Sequence, residues 1–178
     1  MGKRTLAASI LFLLVVQANA QIGVMKLVGN NTKDYAIGFG AFIKSGFPVS
    51  EDADATFEIG VDIFRIKEYS EYGTIMCPLK VGYRYTLNGT GEGFYVEPQV
   101  GFNLYGVTSL PDDYGDNIDL KYHGLILAAG AGYLFTVGRA PFDLNLRYET
   151  VIAHGGSNNL ISLGISRYIS FGKRDSDY

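Results

Sequence analysis

The chain has no tryptophan, one cysteine and two histidines among its 178 residues. A lone thiol, Cys77, excludes a disulfide scaffold. There is no CxxC, no HExxH and no phosphate-binding glycine loop, so no cofactor or metal is expected. Positive charge is also in short supply. The net charge of −3 argues against nucleic acid as a partner, because phosphate binding needs a basic footprint. Long apolar runs are missing with one exception, Leu6 to Val16, which is too short for a membrane helix. It follows Lys3 and Arg4 and precedes the small-x-small triplet Ala18-Asn19-Ala20, the pattern of a cleaved secretory signal over residues 1–20. Gln21 then opens a single mature domain over 21–178, and the loss of two cations takes the net charge from −3 to −5. No cysteine stands directly after the run, which sets aside a lipoprotein. Helical patterning is equally scarce. The best apolar candidate, Tyr122 to Gly138, carries Gly124, Gly130, Gly132 and Gly138, each of which weakens a helix.

What is plentiful is alternation with a period of two, the signature of strands. From Ile75 to Tyr85 the odd positions are Ile75, Cys77, Leu79, Val81, Tyr83 and Tyr85; the even ones include Lys80, Gly82 and Arg84. From Phe94 to Leu104, Phe94, Val96, Pro98, Val100 and Phe102 oppose Tyr95, Glu97, Gln99 and Gly101. Phe142 to Tyr148 sets Leu144 and Leu146 against Asp143, Asn145 and Arg147. Tyr35–Ile43, Phe57–Ile63, Leu125–Phe135 and Ile161–Phe171 alternate with lower contrast, and Ile22–Val28 makes an eighth strand. The segments between them, among them Lys44–Ala55 and Tyr105–His123, read as loops. Pro78 and Pro98 each remove a ladder donor, which predicts a bulge or a local break.

Strands of about 9–11 residues suit a tilted sheet crossing a bilayer. In hydrocarbon no sheet edge survives unpaired, so the sheet must close, and eight is the smallest common even count. The predicted fold is therefore all-β, an eight-stranded antiparallel up-and-down transmembrane barrel. With the C-terminus periplasmic, Tyr105–His123 falls outside the cell and the tight turn Val137–Pro141 inside. Lys44–Ala55 is long for an inner turn unless its strands run further. Phe57, Tyr83, Tyr85, Phe94, Tyr133, Phe135, Phe142 and Phe171 share the apolar face near the periplasmic ends, as a girdle at one interface requires. Tyr35 and Tyr148 fall to the opposite girdle. The polar face places Glu58, Asp62, Glu97, Asp143 and Glu149 with Lys44, Lys80, Arg84 and Arg147 in the lumen. Charges held there must pair, so a plugged lumen is expected and not an open pore.

At Ile75–Tyr85 (IMCPLKVGYRY), Gly93–Phe102 (GFYVEPQVGF) and Phe142–Glu149 (FDLNLRYE) the chain resembles the small outer-membrane β-barrel domain family of Gram-negative bacteria, the group of OmpX- and OmpA-like barrels. The likeness covers most of the mature chain, and its motifs mark strands, not chemistry. It implies an eight-stranded barrel in the cell outer membrane, delivered by the barrel assembly machinery, with outer-membrane lipids and lipopolysaccharide as partners. A monomer with a structural or interaction role follows. Such barrels commonly finish on an aromatic residue. Phe171 takes that place here, although Gly172 to Tyr178 follow it and Arg167 interrupts the alternation.

Two rival readings remain open on sequence. His154-Gly155-Gly156-Ser157-Asn158 faintly resembles the His-x-Ser-Asn stretch of outer-membrane lipid A deacylases, in which His154 would activate Ser157. A spacing of three puts the two on opposite faces of a strand, and an exposed turn is the more economical reading, so no enzyme is expected. The second rival is a soluble lipocalin-like barrel with its apolar face inward. The mixed-sign charges and glycines of the polar face argue against it. The acidic run Asp112, Asp113, Asp116 and Asp119 lacks calcium-loop spacing and reads as a solvated outer loop.

Overall fold

The structure, a computed structural model, describes residues 20–29, 32, 34–67, 72–88, 92–111, 117–121, 123–138, 140–153 and 156–167. Residues 1–19 of the expected signal, together with Asp112, Asp113, Asp116, His154 and Phe171, lie outside the described residues. The elements are β1 (Ala20–Val28), β2 (Gly38–Pro48), β3 (Ala53–Arg65), β4 (Gly73–Thr86), β5 (Gly93–Pro111), β6 (Asn117–Lys121), β7 (Gly124–Val137), β8 (Ala140–Ala153) and β9 (Gly156–Arg167). Every pairing is antiparallel. The order β4-β3-β2-β1-β9-β8-β7-β5 closes through the β4–β5 pair. β6 is not a ninth stave. β5 pairs with β7 as far as Asn103 and with β6 from Val107 onward, so β6 continues the line of β7. The all-β, eight-stranded closed barrel is thus what the chain forms.

The ring closes with a stagger. Ladder partners lead from Ala20 through Ile43, Ile59, Leu79, Phe102, Leu125 and Ile152 to Ser157. Ser157 lies two steps past Asn159, the partner of Val28, so the path regains β1 about ten residues along. Such a shear goes with strands tilted by roughly 40° to the barrel axis.

The inner turns are short. β2 runs to Pro48 and β3 starts at Ala53, leaving Val49–Asp52 as the connection that alternation alone made too long. Val49 N and Ser50 N both donate to the Ala53 carbonyl, at 2.9 and 3.1 Å. Between β7 and β8 Val137 already pairs with Ala140, and the tight turn rests on Gly138 at φ 65°, a conformation that costs glycine nothing.

The outer end departs from expectation. Tyr105–His123 is not a loop throughout, since β5 continues to Pro111, paired with β6 on one side and with β4 as far as Ser109 on the other. The register slips at Cys77/Pro78, where proline has no N–H to give; the Cys77 amide donates instead to Asn103 Oδ1 at 3.1 Å. At Pro98 no slip occurs. The β4–β5 ladder only lapses between the Gly82–Gln99 and Tyr85–Val96 pairs.

The side chains divide as a bilayer demands. Leu146 is 56% and Val100 45% exposed on the outer wall, while Lys80 and Glu97, on the same strands as apolar neighbours, are 1% and 3% exposed inside. A lipocalin-like barrel needs the reverse, so an apolar lumen under a polar wall is excluded.

Candidate functional site: the charge-braced lumen

Alternation aims one side of each strand inward, and the stagger decides which of those residues meet. Two carboxylates act as hubs. Glu58, on β3, receives Arg147 of β8 through two bonds, Nη1 at 2.7 Å and Nη2 at 2.8 Å. β3 and β8 are four staves apart in a ring of eight, so this pair spans the full lumen. Lys80 Nζ lies 2.9 Å from Glu58 and donates to Glu149 at 2.7 Å. The second hub is Glu97. Lys44 donates to it at 2.7 Å, Arg84 through Nε and Nη2 at 3.1 Å each, Thr56 at 2.7 Å and Gln99 at 2.8 Å. Arg84 also reaches Asp143 at 2.9 Å, and Lys44 stands 4.0 Å from Glu58, linking the hubs.

Among the described residues the buried lumen holds six acids and four bases, so the cations are shared. Lys80 and Arg84 each bridge two carboxylates. Sharing is what makes the burial tolerable, because desolvated charges hold only when their hydrogen bonds are filled. Asp62 is the member set apart. It is buried, but its Oδ1 has no hydrogen-bond partner among the described residues.

Four residues of the network were not singled out from the sequence, Gln99 among them. Tyr95 donates its hydroxyl to Asp143 at 2.6 Å and lies under Arg84, whose guanidinium carbon is 4.2 Å from the ring centre. Asp54, assigned to a loop by its surroundings, is fully buried opposite Arg84 in the β3–β4 ladder. Thr56 caps the other oxygen of Glu97. Period-two counting from Glu97 and from Glu58 reaches Tyr95, and Thr56 and Asp54.

The lumen is not polar throughout. Phe64 lies six residues outward from Glu58 on β3, Met76 four outward from Lys80 on β4, and Val151 four outward from Arg147 on β8. With Met25, Phe42, Ile126 and Leu160 they form a buried apolar cluster above the charge layer. Tyr35 packs against that cluster and bridges Ile66, so it is not part of an outer lipid-facing girdle. Tyr148 does face outward.

On the outer wall, Phe57, Tyr83, Tyr85, Phe94 and Tyr133 are exposed and Phe135 and Phe142 half-buried. Phe94 meets Tyr133 edge-on at 4.8 Å, Tyr133 stacks on Phe135 at 6.3 Å, and Phe135 on Phe142 at 5.8 Å. These contacts tie β5, β7 and β8 together at the inner end. Ser157 sits exposed beside Ile152 at the start of β9.

No family model matches the chain, and no curated protein sequence does. Solved structures do. The N-terminal β-barrel domain of Pseudomonas aeruginosa OprF is similar at 14% identity with a TM-score of 0.57, over 83% of this chain and 95% of that one. The fold is that of the small eight-stranded outer-membrane barrels. Ail, the attachment invasion locus protein of Yersinia pestis, gives 12% identity and a TM-score of 0.56 over 83% and 92%. Neisserial surface protein A gives 14% and 0.51 over 83% and 93%. At such identities the likeness to these outer-membrane barrels is one of architecture, and function has to be argued from the lumen and the wall.

Proposed function

We propose that this chain is an integral protein of the Gram-negative outer membrane, a sealed monomeric barrel with a structural or interaction role and neither a channel nor an enzyme. The observation that carries the reading is the Glu58–Arg147 brace, which crosses the lumen from wall to wall and is flanked by Lys44, Lys80, Arg84 and Glu97. An eight-stranded ring leaves room for side chains and little else. The apolar outer wall and the inner aromatic belt support membrane insertion, and the closed ring leaves no edge that would call for a second copy. Export through the signal segment, insertion by the barrel assembly machinery and contact with outer-membrane lipids and lipopolysaccharide belong to the same proposal.

The test is reconstitution of the full mature chain into planar bilayers. No stepwise conductance is expected at any holding voltage, and the same preparation is expected to give a compact gel band that shifts on boiling. Steady ohmic conductance from the compact form overturns the sealed lumen. A chain that never gives the heat-modifiable band overturns membrane insertion.

A further inference from the structure

The outward face of β1, β2 and β3 is apolar or small along its length, with two exceptions among the described residues. Lys26 of β1 and Arg65 of β3 point outward and are exposed. Neither makes an ion pair with a described residue. They are not scattered. Met25 pairs with Gly38, which sets Lys26 beside Ile37. Phe39 pairs with Ile63, and the Ala36 amide donates to the Arg65 carbonyl at 2.8 Å, which sets Arg65 on the other side of Ile37. With strands about 4.8 Å apart, the two cations stand roughly 10 Å from each other at the backbone, within joint reach of one small anion.

Their height on the barrel decides what that anion is. Ile37, just before β2, lies ten residues from Phe47 on the same outward side. At about 3.3 Å per residue and a tilt of roughly 40°, that is about 25 Å, the height of the apolar band of an outer-membrane barrel. Phe47 lies at the inner aromatic end, so Lys26 and Arg65 mark the outer boundary. Below them Val24, Phe39 and Ile63 offer exposed apolar surface. Beside Arg65 the wall is indented by a cavity of about 220 Å³ between Ile63, Tyr72, Ile75 and Val107. Cations at the edge of a greasy wall fit an amphiphile with an anionic head.

We infer that Lys26 and Arg65 form a binding site for a phosphorylated lipid of the outer leaflet, with the phosphate held between the two cations and acyl chains laid along Val24, Phe39 and Ile63. The geometry suits a phosphate on a sugar headgroup, as in lipid A. Arg65 supplies a planar fork of donors, and Lys26 reaches up from the edge of the band along its own aliphatic stem. This site rests on the outer-membrane reading above.

The experiment uses the full mature chain in detergent micelles doped with bisphosphorylated lipid A, with bound lipid counted by native mass spectrometry. Half-occupancy is expected to require about five-fold more lipid in Lys26→Gln or Arg65→Gln, and roughly 25-fold more in the double variant. Arg65→Lys restores most of the loss. Lipid A stripped of its phosphates is expected to bind the native chain no better than the double variant, and millimolar inorganic phosphate not to compete. Equal occupancy of the native chain and the double variant overturns the site, as does displacement by free phosphate. Both side chains are exposed, so every variant is expected to keep the heat-modifiable band. Loss of that band in the native chain sinks membrane insertion itself, whereas unchanged lipid binding by a folded double variant sinks this site alone.

Discussion

Glu58 is the place to break the lumen. It is fully buried and meets Arg147 at 2.7 and 2.8 Å, Lys80 at 2.9 Å and Lys44 at 4.0 Å. Glu58→Gln keeps the shape and deletes the charge. Lys80 still has Glu149 at 2.7 Å and Lys44 still has Glu97 at 2.7 Å, but Arg147 loses the carboxylate it grips with both nitrogens. Removing one partner of a buried pair costs about 3–5 kcal/mol, because the other is left charged and uncompensated. Urea unfolding from lipid vesicles, followed by the gel shift on boiling and by far-UV circular dichroism, reads that loss. The double variant Glu58→Gln with Arg147→Met removes one charge of each sign, so it is expected to be more stable than Glu58→Gln alone. A single-variant cost below about 1 kcal/mol, or additive costs in the double variant, refutes the idea that the cross-lumen pair is a coupled brace.

Three further outcomes are expected in the same unfolding assay. Gly132→Ala puts a Cβ 2.5 Å from the Tyr95 hydroxyl, which Asp143 holds in place, and is expected to cost about 1–3 kcal/mol; Gly130→Ala meets nothing nearer than 3.5 Å and is expected to be close to neutral. Val100→Arg places a charge on the lipid-facing wall about midway along the band and is expected to cost about 2–4 kcal/mol in vesicles. Ile126→Ala hollows the apolar cluster and is expected to cost about 2–5 kcal/mol with the heat-modifiable band retained.

The strands were legible because a bilayer outside and charges inside enforce opposite chemistry on alternate residues. Leu79–Lys80–Val81 and Leu144–Asn145–Leu146 show it without ambiguity, and β4 and β8 were found on that signal. Where the lumen turns apolar, both faces are greasy and the contrast collapses. Ile126 inside β7 explains why that strand alternated weakly. The extension of β5 beyond Tyr105 escaped for another reason. The bulge at Cys77/Pro78 shifts the register there, and the hairpin with β6 has no hydrocarbon to enforce a pattern. Which charges meet was out of reach altogether. Glu58 and Arg147 are 89 residues apart, and only the accumulated stagger of the ring brings them level.

The greasy layer over the charge layer gives the barrel a direction. Met76, Val151 and Leu160 form a dry lid on the side that faces the surroundings, whereas the ionic bundle sits nearer the short inner turns. The inner end is closed as well, since Ala53, Thr86 and Leu134 are 0%, 0% and 2% exposed. Acid or salt applied at either end of a barrel in a sealed vesicle is therefore expected to leave the Glu58–Arg147 pair intact until the ring itself opens.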